Sequence, residues 1–396
     1  MPTEHILVKD LRPGMFIVES KLSWRLHPFL YNNQGLIIDQ EEIDNIIKQG
    51  YQDTYYDPDL SINEATLENM NALKDNNVVP LKQEIIVQEK QYESCIANMK
   101  RIMLEARYGR VDIQSVMPFL RNITLSLNRN PDALMSLAKI KLYDEYTYVH
   151  SVNVCIYCLA FGKYLGMKGK ELENLGLSGL FHDIGKIKIP ISILNAPRKL
   201  NKKEFEIIKK HSKMGMDILS PCKEAMEEVL QGILDHHERY NGNGYPNKKK
   251  GKDISKFGKI IAICDVYDAL SSRRSYHRAI TPGAALTTMY KSCENDFDRE
   301  LLEHFIKMTG IYPVGTPVLM SNGEVGIVIK SNTEKPLCPD VLICFDCGWR
   351  RTFQQKIVQP DPEQNLVILK AINPKNFPLN VLMTIRNMKI GLVNTV

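Results

Sequence analysis

The sequence of 396 residues contains no apolar run approaching the roughly 20 residues that a bilayer-spanning helix requires. Its opening residues lack a secretory pattern: His5 to Leu11 mixes apolar and charged side chains, and Pro13-Gly14 soon interrupts it. Cytoplasmic residence is the resulting expectation. A disulfide framework is missing as well, because the nine cysteines are odd in number, scattered and mostly set in apolar runs. Two Cys-x-x-Cys pairs, Cys155/Cys158 and Cys344/Cys347, raise the question of zinc, but they are far apart in the chain. They read as buried thiols. Internal repeats and low-complexity segments are absent too.

Charge is unevenly spread. Residues 1–60 carry five Lys/Arg against ten Asp/Glu, whereas residues 186–278 carry twenty against eleven. Most of those lysines read as solvated helix faces, yet a positive segment around a site suits an anionic substrate. No recognised nucleic-acid-binding module accompanies it, so nucleic acid is not an expected partner.

The hydrophobic pattern changes along the chain. Tyr31 to Asp39 reads as short strands, and Glu41 to Gln49 as a helix ended by Gly50. Residues 61–83 are polar and Asn-rich, a linker composition. From about 84 to 310 apolar residues recur three and four apart. Val149, Val152, Ile156 and Leu159 mark one helix face while Val154, Cys158 and Phe161 fill the rest, as in a buried helix. Beyond Pro313, Thr316–Met320 and Val325–Ile329 flank Ser321-Asn322-Gly323 as a hairpin, and Val341–Phe345 extends the sheet. The predicted fold is therefore mainly α. It comprises a small mixed α/β domain (1–60), a linker and helical segment (61–137), a helical domain (138–312) and a short C-terminal β region with a tail (313–396).

Five of the nine histidines, His150, His182, His211, His236 and His237, fall within one stretch of this helical domain. His182 is followed by Asp183, and His236 and His237 are adjacent. Asp265 sits in the apolar run Ile260–Leu270, where a buried carboxylate is costly without a cation. Neighbouring residues on a helix point about 100° apart, so each pair suits two adjacent metal ions better than one, with Asp183 as the natural bridge. Imidazole and carboxylate donors without thiolate favour iron, manganese or zinc over magnesium or calcium. Two close cations can bind a phosphodiester and generate a hydroxide nucleophile.

The order His150, His182-Asp183, His211, Asp265 resembles the HD superfamily of metal-dependent phosphohydrolases. The segment from His236 to Pro246, HHERYNGNGYP, resembles the signature of its HD-GYP branch. Asp144-Glu145-Tyr146-Thr147, Asp265-Val266-Tyr267-Asp268-Ala269-Leu270 and Gly310-Ile311-Tyr312-Pro313-Val314-Gly315 add to a likeness spanning 138–331. Val8 to Met15, with His27-Pro28-Phe29, resembles an uncharacterised domain that precedes bacterial HD-GYP modules.

The resemblance implies an HD-type catalytic bundle over 138–312 that hydrolyses cyclic di-GMP to linear pGpG and onward to GMP. It implies a first metal on His150, His182, Asp183 and Asp265, and a second on Asp183, His211, His236 and His237. Asp183 and Lys186 are then catalytic, with Lys186 on the scissile phosphate. Lys186, Tyr245 and Arg274 contact the substrate, Tyr245 by stacking on a base. The loop around Tyr245 is implied to dock a signalling protein. Tyr146 replaces a glutamate that three-metal members carry, so two ions, iron or manganese, are expected. Arg273-Arg274-Ser275-Tyr276-His277 departs from the family's run, which leaves open a mixed cyclic dinucleotide such as cyclic GMP-AMP. A catalytically silent cyclic-dinucleotide sensor is a further alternative. The helices between 84 and 130 offer a surface for a homodimer.

Overall fold

The structure, a computed structural model, describes residues 3–18, 27, 29–31, 35–37, 40–48, 50–58, 61, 81–140, 146–272, 280–332, 335–372 and 377–387. Two compact units emerge: Met1–Val78 with Met117–Phe119, and Val79–Val116 with Leu120–Val396.

The first unit is a small sheet with one helix. Its elements are β1 (Glu4–Leu7), β2 (Phe16–Ile17), β3 (Leu30–Tyr31), β4 (Gly35–Leu36), α1 (Gln40–Lys48) and β5 (Asp53–Asp57). Strand β5 organises it, antiparallel to β1 and β2 and parallel to β3. Apolar side chains at every third or fourth position of α1, Ile43 and Ile46, meet Val8, Leu11, Ile17, Tyr31 and Ile37 in a dry core. The helix stops before Gly50, whose φ of +87° breaks the helical path, as the sequence predicts.

In the second unit, every described element between 81 and 309 is helical. The main helices are α2 (Leu81–Ala106), α3 (Met117–Arg129), α4 (Pro131–Ile140), α5 (Tyr146–Tyr164) and α6 (Gly169–Phe181). Then come α7 (Ile191–Leu194), α8 (Lys202–Ile208), α9 (His211–Leu219), α10 (Glu227–Asp235) and α11 (Lys256–Ser271). The series closes with α12 (Pro282–Lys291), α13 (Cys293–Asp296) and α14 (Arg299–Thr309). Helix α5 is apolar on nearly all sides because it is the centre of the bundle, touching α2, α4, α6, α11 and α14. Tyr157, Phe161, Tyr267 and Phe305 stack edge to face with centroids 5.1–5.3 Å apart, joining α5, α11 and α14. Each such pair adds about 1 kcal/mol beyond its buried area. Helix α6 approaches α5 closely because Gly176 and Gly179 line its inner face. A Cβ at these positions would lie 2.6 Å from Leu159 and 2.9 Å from Cys158.

The C-terminal β region is larger than the sequence shows. Strands β6 (Pro317–Met320), β7 (Val325–Lys330) and β8 (Asp340–Phe345) fall where predicted, and β9 (Arg351–Val358) and β10 (Ile368–Ala371) join them. The antiparallel order is β10-β6-β7-β8-β9. A last helix, α15 (Val381–Arg386), lies in what the sequence reads as the tail. The inner face of the sheet shares a core with Leu81 and Ile85 of α2, Ala133 and Leu137 of α4, and Val381 and Ile385 of α15. The thiol reading holds for Cys155, Cys158 and Cys344, which are buried, but Cys347 is exposed. Strand β8 ends at Phe345, so Cys347 belongs to the turn into β9 rather than to a strand interior.

Between α6 and α9 the chain makes a tight turn, Ile184–Lys188, against the start of α9. Gly185 permits this approach: a Cβ there would lie 1.9 Å from the His211 carbonyl oxygen and 2.6 Å from the Gly215 amide. Backbone atoms cannot yield as side chains do. Gly185→Ala is therefore expected to destabilise the helical unit by about 3 kcal/mol, read as a lowered denaturant midpoint. An unchanged midpoint would mean that this contact does not set the spacing.

Candidate metal centre

Each site residue lies at a helix end or on the innermost face of a helix. His150 is on α5 and Asp265 on α11; His182 caps the C-terminus of α6 and His236 that of α10. Asp183 opens the turn that follows α6, and His211 is the first residue of α9. The adjacent pairs thus do not ride on continuous helices. Each helix stops at the first histidine, and the second residue leaves on a new backbone course.

That placement gives the histidines their orientation. The last-turn carbonyls of a helix lack intrahelical partners, and the rings use them. His182 Nδ1–H donates to Gly179 O at 2.7 Å, His211 Nδ1–H to Ile208 O at 2.7 Å, and His236 Nδ1–H to Ile233 O at 2.6 Å. His150 Nδ1–H donates instead to the carboxylate of Asp268 at 2.7 Å. Each bond commits Nδ1 and turns Nε2 inward, the arrangement that metal-binding imidazoles adopt.

The inward-facing atoms form two groups, His150–His182–Asp265 and Asp183–His211–His236–His237, with donor atoms within 4.8 Å of one another in each. Asp183 faces both. Its Oδ1 lies 3.3 Å from His211 Nε2, and its Oδ2 lies 3.4 Å from His182 Nε2 and 3.8 Å from His150 Nε2. All these residues are buried except His237, which is half-buried.

Several inward-facing atoms of the arrangement have no counterpart. His182 Nε2 and Asp183 Oδ1 are buried without a hydrogen-bond partner. His211 Nε2 and His236 Nε2 face each other at 3.3 Å, and with both Nδ1 protons committed, two lone pairs meet. Burial lowers the pKa of His211 to about 4 and depresses His236 and His237 well below the usual imidazole range, so these rings are neutral. Burial acts to raise Asp183, but the Lys186 ammonium beside it acts the other way and the carboxyl is held well below its usual range. At His150, burial is overcome by hydrogen bonds to Asp265 and Asp268, which raise its pKa to about 9. A proton there holds Nε2 and Asp265 Oδ1 3.1 Å apart; a cation would take its place. The donor set fits metal ions that favour nitrogen and carboxylate ligands.

The loop beside the second group is built around Glu238. This buried carboxylate accepts the Asn247 amide at 2.7 Å and the Lys249 amide at 3.0 Å, folding the segment back on itself. Gly244 lies so close that a Cβ would sit 2.4 Å from Glu238 Cα. Tyr245 is thereby laid against His237, with ring centroids 4.7 Å apart and planes tilted by 33°. Lys186 Nζ forms an ion pair with Asp183 Oδ2. Arg274 and His277 lie outside the described residues, as does the side chain of Tyr146.

Comparison with known proteins bears on the same residues. Residues 127–301 match the family described as HD domain, 3–114 match a domain of unknown function, and 317–380 match a KOW domain associated with HD domain. A cyclic di-GMP phosphodiesterase of Pseudomonas aeruginosa is 31% identical over 366 residues, 90% of this chain and 88% of the relative. The chain belongs to the HD-domain family, in its HD-GYP branch. The cyclic di-GMP phosphodiesterase PdeB of Borreliella burgdorferi is similar to this HD-GYP chain at 22% identity, across 96% of it and 97% of PdeB. A 3′3′-cGAMP-specific phosphodiesterase of Vibrio cholerae is 31% identical over 199 residues, 47% of the chain and 38% of that relative. Among the described residues, no helix of this HD-GYP chain is long and apolar enough to cross a membrane.

Asp268 falls within a motif of the resemblance, but no role attaches to it there. A signal was available: it lies three residues beyond Asp265, hence on the same helix face. Outer partners of this kind are worth about 10- to 100-fold in metal affinity. Asp268→Asn is accordingly expected to weaken manganese binding by about that factor, measured by isothermal titration of the full chain. An unaltered isotherm would remove Asp268 from the centre.

Proposed function

We propose that this protein hydrolyses cyclic di-GMP to linear pGpG, using two divalent cations, iron or manganese. One observation carries the reading: the buried Asp183 carboxylate turns one oxygen toward His211 and the other toward His182 and His150. In this reading His150, His182, Asp183 and Asp265 hold one ion, and Asp183, His211, His236 and His237 hold the other. The chemistry such ions supply is positive charge on a phosphodiester and a hydroxide nucleophile at neutral pH.

The chain's own residues do the rest. Water adds to phosphorus, the bond to one 3′ oxygen breaks, and the ring opens to a linear dinucleotide with a 5′ phosphate. Lys186, about a quarter exposed beside Asp183, donates to a non-bridging phosphate oxygen and offsets charge as it develops. Tyr245 and Arg274 contact the dinucleotide. Relatives aligned over nearly the whole chain are named cyclic di-GMP phosphodiesterases, whereas the cGAMP-specific relative aligns with less than half of it. Retention of all seven ligand positions favours an enzyme over a silent sensor.

Manganese- or iron-loaded protein incubated with cyclic di-GMP is expected to yield pGpG on chromatography, faster than product forms from 3′3′-cGAMP. The His182→Ala/Asp183→Ala variant should lose about 10³-fold or more in rate, the scale of removing groups that stabilise developing charge. Equal rates in variant and wild type would end the metal reading. Tight binding of cyclic di-GMP without turnover would make the protein a sensor.

A further inference from the structure

The hydrogen bond that orients His150 does not stop at Asp268. Asp268 Oδ1 accepts from Asn153 Nδ2 at 2.9 Å and from the Ser272 hydroxyl at 2.9 Å, leaving Oδ2 for His150 Nδ1–H. Asn153 Nδ2 also donates to Ala138 O at 3.0 Å. The amide oxygen of Asn153 in turn accepts from the hydroxyl of Tyr92 at 2.6 Å. The four side chains in line are buried: Tyr92 and Asp268 are 0% exposed, Asn153 1% and His150 2%. Tyr92 belongs to α2, outside the 127–301 HD-domain match and inside the 3–114 match to a domain of unknown function.

We propose that Tyr92 and Asn153 are positioning residues for the first metal site, acting through Asp268 on His150. An asparagine amide can be turned over so that oxygen and nitrogen exchange places. In this pocket the exchanged form would aim an oxygen at both the Asp268 carboxylate and the Ala138 carbonyl, where only a donor is tolerated. With the orientation so set, the Tyr92 O–H donates to the amide oxygen and holds the amide from its other side. Asp268 is then pinned from its far side, and its remaining oxygen holds the His150 ring with Nε2 directed at Asp265 and Asp183. A helix from the segment ahead of the HD-domain match thus supplies an outer hydrogen bond to the metal centre.

The inference rests on the proposed metal site, and manganese alone, titrated into the whole 396-residue chain, tests it without substrate. Tyr92→Phe keeps the ring and removes only the hydroxyl. It is expected to weaken one of two manganese-binding events by about 3- to 10-fold, two hydrogen bonds further out than partners worth about 10- to 100-fold. The other event should be unchanged. In an Asp268→Asn background the same substitution should add nothing, because the link it acts through is already cut. Asn153→Ala provides a second, independent break in the chain should Tyr92→Phe fail to fold. Loss of the first event in His150→Ala, with full affinity in both Tyr92→Phe and Asn153→Ala, would overturn the relay and spare the metal site. Two intact events in His150→Ala would overturn the metal site and the relay together.

Discussion

A carboxylate buried among imidazoles sets the terms for this molecule. Asp183 is 1% exposed, ionised, and turned toward two groups of histidines, of which His211 and His236 present lone pairs rather than protons. One lysine, Lys186, reaches it. Such a centre is electrostatically incomplete as a purely protein structure, since buried charge and facing lone pairs are costly unless a cation joins them. Chemistry on an anionic ester follows from the same incompleteness: the positive charge that the donors require is also what a phosphodiester requires.

The helical scaffold is shaped to hold that centre. Helices α6 and α10 end at a histidine, and the rings close onto carbonyls that a helix terminus leaves without partners. Capping the helix and orienting the imidazole are one act. Gly176 and Gly179 bring α6 against α5, so that His182 and His150 meet with ring centroids 5.1 Å apart. Asp235 at the end of α10 accepts the Ser255 amide and the Lys249 ammonium, drawing the start of α11 back toward the centre. Helix α2 joins distant parts of this unit, with Leu81 and Ile85 in the C-terminal core and Tyr92 in the network behind His150.

Much of this was legible in order and kind. Helical periodicity marked the bundle, Ser321-Asn322-Gly323 marked the first C-terminal hairpin, and the spacing of His150, His182-Asp183, His211, His236-His237 and Asp265 marked the centre. What escaped was set by neighbours distant in sequence. Strands β9 and β10 have weak alternation and gain their place by pairing with β8 and β6. Cys347 looked like its buried neighbour Cys344 because a turn residue and a strand residue two or three positions apart share one composition. Tyr92 looked like any core aromatic; nothing in the local pattern says where its hydroxyl goes.

By itself the sequence determined which atoms are available as ligands and, through apolar period and turn chemistry, that helices would carry them. Local composition suffices for that, because ligand type and helical repeat are properties of short segments. Only tertiary structure decided that the two oxygens of Asp183 face different histidines, that four rings turn Nε2 inward, and that Asp268, Asn153 and Tyr92 stand in line behind His150. Those are matters of direction across contacts far apart in the chain, and burial, which makes each unmet donor or acceptor expensive, fixes direction only once the helices have come together.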